Sequence, residues 1–147
     1  MIRTFKNMGV FPRNIYIDID GVILTRGAAP ALHLDKFLEY ILGNYSVFWL
    51  TSRCHGDSKY TVDYLSQFLP LEIVSLLKKI KPTNFGIDKT EAIDFDKKFF
   101  WLENEIFASE KNALIKKDKL NSWIAVDLIK NPDQLLHLIR HKLFGRT

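Results

Sequence analysis

Asp18 and Asp20 are the first side chains along the chain whose type and spacing suit chemistry. They close the apolar run of residues 15–17 and are followed by Gly21, which lets the backbone turn sharply. Residues i and i+2 of a strand project to the same side, so the two carboxylates converge where the strand meets solvent. Carboxylates held close together need a cation or a shared proton, which predicts a Mg²⁺ site or a shifted pKa. A polar strand end with a turn is the structural alternative, and both interpretations of Asp-x-Asp-Gly stay open.

Two later apolar runs also end in polar side chains. Residues 46–50 predict a second buried strand, which is followed by Thr51 and Ser52. Residues 99–102 predict a third strand, and it is followed by Glu103. Open α/β sheets bind ligands at the carboxyl ends of their strands, so these polar groups are candidates for one shared site.

The intervening segments predict the elements that hold these strand ends together. Apolar residues at i, i+3, i+4, i+7 and i+8 predict a helix over residues 34–42, with a stop at Gly43 and Asn44. Strand, helix and strand in this order form a right-handed crossover with parallel strands. The other predicted elements are helices starting near Asp57, Ser109 and Asn131, a helix or short strand within residues 71–81, and a strand over residues 123–126. The pattern predicts an α/β fold, a mainly parallel sheet of about five strands with helices on both faces.

Length, charge and cysteine content narrow the class of protein. A chain of 147 residues with 47% hydrophobic content predicts one domain over residues 1–147. A net charge of +4 permits a phosphorylated or polyanionic partner without requiring one. Cys54 is the only cysteine, so a disulfide framework is excluded and a cytoplasmic location is the default expectation. No apolar stretch approaches membrane-spanning length, which indicates neither secretion nor membrane insertion.

Two lysines are candidates for a place beside the carboxylates. Asp88 and Glu91 have the spacing of a capping box, which puts Lys89 in the first turn of a helix. Lys81 also precedes the third strand end. Lys89 is preferred, since a helix start adds its own positive dipole beside an anion, although either lysine can be plain solvated charge.

Taken together, these residues resemble the haloacid dehalogenase (HAD) superfamily. Its four motifs place Asp-x-Asp, a Ser or Thr, a Lys and an acidic pair at strand or helix ends. The matching residues here are Asp18, Asp20, Thr51, Lys89 and Glu103. The resemblance is most specific at residues 15–24 and 49–51. Residues 88–105 also resemble a small capless subgroup, the HAD domain of bacterial RNA-repair proteins, in which Trp-x-Asp-Asp-Glu is usual.

This resemblance implies a Rossmann-like HAD fold without a cap domain and the activity of a Mg²⁺-dependent phosphatase. It implies that Asp18 is the nucleophile that takes up the phosphoryl group and that Asp20 is the general acid and base. Mg²⁺ would be held by Asp18, by the backbone carbonyl of Asp20 and by Glu103. The phosphate would be bound by Thr51, Ser52 and Lys89.

The substrate expectation follows from the absence of a cap. Residues 24–45 leave room for one loop and one helix, and residues 53–89 leave little room for a separate domain. An open cleft on a mildly basic protein favours a phosphate on a large or extended substrate, such as a nucleic-acid end or a phosphoprotein.

The fourth motif departs from the family pattern. Glu103 followed by Asn104 stands where the family has aspartate, often two. The extra methylene of glutamate shifts its oxygens, and Mg²⁺ tolerates little distortion of its octahedron, so metal binding could be weakened. The alternative function is therefore a catalytically weak or inactive HAD-like module that binds a phosphorylated ligand or protein partner. A receiver-like domain is a third possibility, but its phosphorylated aspartate follows a later strand.

Overall fold

A computed structural model describes residues 13–142, so the first twelve and last five residues of the predicted domain lie outside the described part. The described chain is an α/β fold built on one sheet. Its strands are β1 (Asn14–Ile17), β2 (Ser46–Trp49), β3 (Phe99–Glu103) and β4 (Trp123–Ala125). They lie in the order β2-β1-β3-β4, and every neighbouring pair is parallel. The predicted α/β class with a parallel sheet is confirmed.

The short strand considered within residues 71–81 is reduced to a single bridge beside β2. The N–H of Lys81 donates to the carbonyl of Val47 (2.9 Å), and the carbonyl of Lys81 accepts from the N–H of Trp49 (2.8 Å). Pro82 follows, and proline has no N–H with which to extend the ladder. Within residues 13–142 the sheet therefore has four strands rather than about five.

Helices cover the connections between the strands. They are α1 (Leu34–Asn44), α2 (Ser58–Leu65), α3 (Leu71–Leu77), α4 (Ala108–Lys116) and α5 (Gln134–His137), with a π-helical continuation over Leu138–Lys142. Short 3-10 turns span Lys89–Ala92 and Leu120–Ser122. The Asp57 side chain caps α2 by accepting from the N–H of Lys59 (2.9 Å), as its sequence position predicts. Within residues 13–142, no helix combines the length and the apolar character needed to cross a membrane.

The sheet separates two apolar layers. Ile15 and Ile17 of β1 point into the larger layer, which α1 covers through Phe37. Tyr16 points the opposite way and packs with Trp101 and with other apolar side chains of the second layer, where α4 contributes. All four residues of β1 are buried, as expected for a central strand covered on both faces. Each large apolar side chain buried in this way contributes about 1.5–3 kcal/mol.

The register of the strands brings the predicted polar groups to one edge. Ile17, the last residue of β1, lies opposite the last residue of β2 and the fourth residue of β3. The three strands therefore end at nearly the same level, where Asp18, Thr51 and Glu103 lie. The sequence therefore places these polar groups at the carboxyl edge of the sheet, which is where ligands bind in open α/β folds.

Candidate active site

A partly buried lysine lies between two buried acidic side chains at the carboxyl edge of the sheet. The Lys89 ammonium is 3.3 Å from Asp18 Oδ2 and 2.5 Å from Glu103 Oε1. The exposed fractions of the three side chains are 17% for Lys89, 12% for Asp18 and 6% for Glu103. Charges shielded from water to this degree interact strongly. Three of the residues chosen from the sequence thus form one cluster.

The cluster contains two acidic side chains and one basic side chain. Burial raises the pKa of Glu103, and the neighbouring Asp18 raises it further, while Lys89 acts in the opposite direction. Burial alone would lower the pKa of Lys89, but the charges of Asp18 and Glu103 outweigh it, so that pKa is raised. Two acids with one ammonium favour the uptake of one further positive charge, either a proton or a metal ion.

The donor atoms of the cluster are compatible with Mg²⁺. The carboxyl groups of Asp18 and Glu103 interact directly, and they supply the hard oxygen atoms that this ion prefers. The Asp20 carboxylate accepts from Arg53, and across residues 13–142 no group of three acidic, histidine or cysteine side chains is arranged to hold a metal. The cluster itself supplies two carboxyl ligands, and the resemblance implies the backbone carbonyl of Asp20 as the third.

The lysine beside the carboxylates is Lys89 and not Lys81. Lys89 opens the 3-10 turn, and Glu91 reaches back to accept from the N–H of Asp88 (3.0 Å), which is half of the predicted capping box. The predicted helix is only this one turn, which is too short to supply the expected dipole beside Lys89. The ammonium of Lys81 instead lies 5.5 Å from the centre of the Phe48 ring.

Arg53 binds the Asp20 carboxylate, a contact that sequence reasoning missed. Its Nε donates to Asp20 Oδ2 at 3.1 Å, and its guanidinium lies 4.0 Å from the centre of the Tyr64 ring. Arg53 is not among the site residues predicted from the sequence. The available signal was its place directly after Thr51 and Ser52, at the end of β2.

Thr51 and Ser52 differ in their surroundings. Thr51 is buried, and its Oγ1 accepts from the N–H of Arg53 at 3.2 Å, so its hydroxyl hydrogen remains able to donate to a ligand. Ser52 is exposed and lines an open hollow with Arg53 and Tyr64. Of the two, Thr51 is the better fixed donor at the sheet edge.

The turn after Asp20 depends on Gly21. The φ angle of Gly21 is +88°, in the left-handed region, and the N–H groups of the next three residues all point to the carbonyl of Ile19. A Cβ atom at this position would lie 3.3 Å from the Cβ of Asn104. Asn104, at the position where the family usually has a second aspartate, therefore packs directly on the turn.

Beside this turn lies an open hollow of about 740 Å³. Asp20 forms part of its wall, so a group bound there would lie next to that carboxylate. The other lining residues are Gly21, Thr25, Arg26, Gly27, Ala28, Tyr64, Asn104, Leu128 and Ile129. The hollow offers mixed polar and apolar surface next to the predicted acid and base.

Comparisons of the chain with protein-family models, with curated proteins and with solved structures found no match. The HAD resemblance therefore stays a prediction. It depends on the residues of the sheet edge, of which Asp18, Lys89 and Glu103 are in mutual contact.

Proposed function

We propose that this protein is a Mg²⁺-dependent phosphatase of HAD type, with a Rossmann-like fold and no cap domain. The observation that carries the proposal is the buried cluster of Asp18, Lys89 and Glu103 at the carboxyl edge of a parallel sheet. Thr51 lies at the same edge with a hydroxyl able to donate. A carboxylate nucleophile beside a fixed cation and a hydroxyl donor suits phosphoryl transfer, which depends mostly on positioning and charge balance.

In the first step, a carboxylate oxygen of Asp18 attacks the phosphorus atom of the substrate. The bond between phosphorus and the leaving oxygen breaks, and Asp20 donates a proton to that oxygen. The phosphoryl group is then covalently attached to Asp18, which divides a difficult displacement into two easier ones. Lys89 balances negative charge around the group, and the hydroxyl of Thr51 donates to one of its oxygens.

In the second step, water attacks the phosphorus of the aspartyl-phosphate. Asp20 accepts a proton from this water, the bond between phosphorus and the Asp18 oxygen breaks, and inorganic phosphate leaves. Arg53 donates to Asp20 Oδ2 and so holds this carboxyl group in one orientation, which leaves Oδ1 for proton exchange with the leaving oxygen and with water.

Mg²⁺ would be held by Asp18, by Glu103 and by the backbone carbonyl of Asp20. When bound, the ion neutralises charge on the phosphoryl oxygens. The excess of acidic over basic side chains in the cluster supports this assignment, because burial of two ionised carboxylates is unfavourable without a further positive charge.

The open surroundings of the cluster favour a large or extended substrate. The segment from residue 24 to 45 contains one loop and α1, and the segment from 53 to 89 contains α2 and α3 without a further sheet. The hollow beside Asp20 is open to solvent. An accessible phosphate, such as that of a nucleic-acid end or a phosphoprotein, can reach such a site without a lid closing over it.

Release of phosphate from a generic aryl phosphate tests this proposal. Purified protein should release phosphate when Mg²⁺ is present, and Asp18→Asn should abolish the release. Asp63→Asn, which changes an exposed acid on α2, is the matched control and should leave the rate unchanged. No release by the wild type, or an unchanged rate in Asp18→Asn, would contradict the proposal.

One observation favours a non-catalytic phosphate-binding module instead. Lys89 already bonds directly to Glu103, so the lysine itself compensates much of the acidic charge. A Mg²⁺ titration followed by thermal unfolding separates the two functions. A catalytic site should show saturable stabilisation by the ion, whereas a degenerate module should show none.

A further inference from the structure

Glu110 is a buried acid that lies outside the proposed catalytic cluster yet binds the backbone of Lys89. It belongs to the first turn of α4 and is only 3% exposed. Its Oε2 accepts from the N–H of Lys89 at 2.7 Å, and its Oε1 accepts from the N–H of Phe107 at 2.8 Å. One carboxylate therefore ties the start of α4 to the residue that supplies the ammonium.

The surrounding contacts make this connection specific. The exposed Glu91 accepts from the N–H groups of Gly86, Ile87 and Asp88 but not from that of Lys89. Four consecutive backbone N–H groups are thus held by two carboxylates, and the last one belongs to Glu110. Ser109 adds a second link between the two elements, because its hydroxyl donates to Asp88 Oδ1 at 3.1 Å.

A buried carboxylate is a costly means of capping a helix. Removing an ionised group from water is unfavourable, and a neutral side chain can accept one backbone hydrogen bond equally well. What the carboxylate adds is a second acceptor oxygen, which the N–H of Lys89 uses. Glutamine has an NH₂ group in place of one oxygen, so in the same side-chain position it faces either the N–H of Lys89 or that of Phe107 with a donor.

We propose that Glu110 is a positioning residue, which fixes the backbone of Lys89 so that its ammonium lies between Asp18 and Glu103. The catalytic consequence of this role rests on the proposed phosphatase function, but the positioning itself does not. Loss of the bond to Lys89 leaves the link from Ser109 to Asp88 and the bonds of Glu91 in place while releasing the residue that carries the ammonium. Effective phosphoryl transfer needs this charge in place, since small displacements of a catalytic group are costly.

The first test measures how fast each lysine amine reacts with an acylating reagent at one fixed pH, by mass spectrometry. In Glu110→Gln, Lys89 should be acylated about ten-fold faster or more, the factor expected for the loss of one hydrogen bond to a charged group. Lys111, an exposed lysine on the same helix, should react at an unchanged rate. Glu91→Gln is the matched control, because it weakens the same turn without touching the N–H of Lys89.

The second test is a double-mutant cycle on Mg²⁺-dependent turnover. Glu110→Gln should lower kcat/KM about ten-fold or more in the wild-type background and have almost no effect when Lys89→Met is already present. A merely structural role would give the same factor in both backgrounds, because a weakened helix start does not depend on the lysine side chain.

The outcomes separate this proposal from the phosphatase proposal. Unchanged acylation of Lys89 in Glu110→Gln, or an additive cycle, overturns the positioning role. A wild-type protein without turnover overturns the phosphatase function, and acylation alone then decides on positioning. Glu110→Asp keeps the charge, but its side chain is too short to reach both N–H groups. If Glu110→Gln does not fold, the acylation and turnover measurements are made with Glu110→Asp instead.

Discussion

Replacing Lys89 by methionine removes the ammonium that lies between two buried carboxyl groups. Methionine has a similar length and can fill the space, so the main change is the loss of positive charge. Breaking a buried ion pair by removal of one partner costs about 3–5 kcal/mol, because the remaining charge is left uncompensated. Since 17% of the Lys89 side chain is exposed, the lower end applies, about 3 kcal/mol.

Thermal unfolding in metal-free buffer measures this loss. For a domain of this size, about 3 kcal/mol corresponds to a fall of about 6–12 °C in Tm. The effect should shrink as the pH is lowered. Burial and the neighbouring Asp18 hold the pKa of Glu103 above its unfolded value, so the folded state takes up a proton first. The folded protein therefore loses stability as the pH rises from the pKa of Glu103 in the unfolded chain to its higher pKa in the folded state. Lys89→Met should make this loss of stability with pH steeper.

Lys59→Met is the matched control for this experiment. Lys59 forms an ion pair with Asp63 at 3.0 Å, but both side chains are largely exposed, so the Tm should barely change. Equal shifts in Lys89→Met and Lys59→Met would refute the view that Lys89 compensates buried charge. A Lys89→Met penalty that grows as the pH is lowered would contradict the direction assigned to the pKa of Glu103.

Two further predictions concern the metal ion and the turn after Asp20. Mg²⁺ at 100 times its Kd should raise the free energy of unfolding of the wild type by about 2.7 kcal/mol, and with it the Tm. The ion should not raise the Tm of Glu103→Gln, and equal stabilisation of both proteins would contradict the assignment of Glu103 as a ligand. Gly21→Ala should destabilise the fold by about 1–2 kcal/mol in chemical denaturation, since alanine is strained at a φ of +88° and its Cβ would press on Asn104. Gly43→Ala, in α1 with nothing within 4 Å of the added Cβ, is the control and should be neutral or stabilising, so equal losses would contradict the strain argument.

Local sequence signals predicted the strands and the edge at which they end. Continuous apolar runs bounded by polar residues mark β1 and β3, because a strand covered on both faces must be apolar throughout. The run at residues 46–50 also marks a strand, but β2 lies at the edge of the sheet, and its residues alternate between half-buried and buried. Because the strands are parallel, Asp18 and Glu103 lie at the same edge of the sheet for any conformation of the connecting loops. This is why residues 85 positions apart in the sequence could be assigned to one site from spacing alone.

Contacts made by side chains across loops could not be predicted in this way. Arg53 meets Asp20 across 33 residues, and Glu110 meets Lys89 across 21 residues. Both contacts depend on how the connecting segments fold back over the sheet edge, and local periodicity does not encode that path. The choice between helix and short strand within residues 71–81 stayed open for a related reason, because strand propensity does not show where pairing with a neighbour stops, and the structure has both a helix and a single bridge there.

Detection of a phosphoryl group on Asp18 is the most direct test of the proposed mechanism. The protein would be mixed with Mg²⁺ and an aryl phosphate, quenched in acid within one turnover, digested and examined by mass spectrometry. The mechanism predicts a peptide that contains Asp18 and carries the mass of one phosphoryl group, which is absent in Asp18→Asn. Turnover with Asp18 never modified, or a phosphoryl group found on another residue, would contradict it.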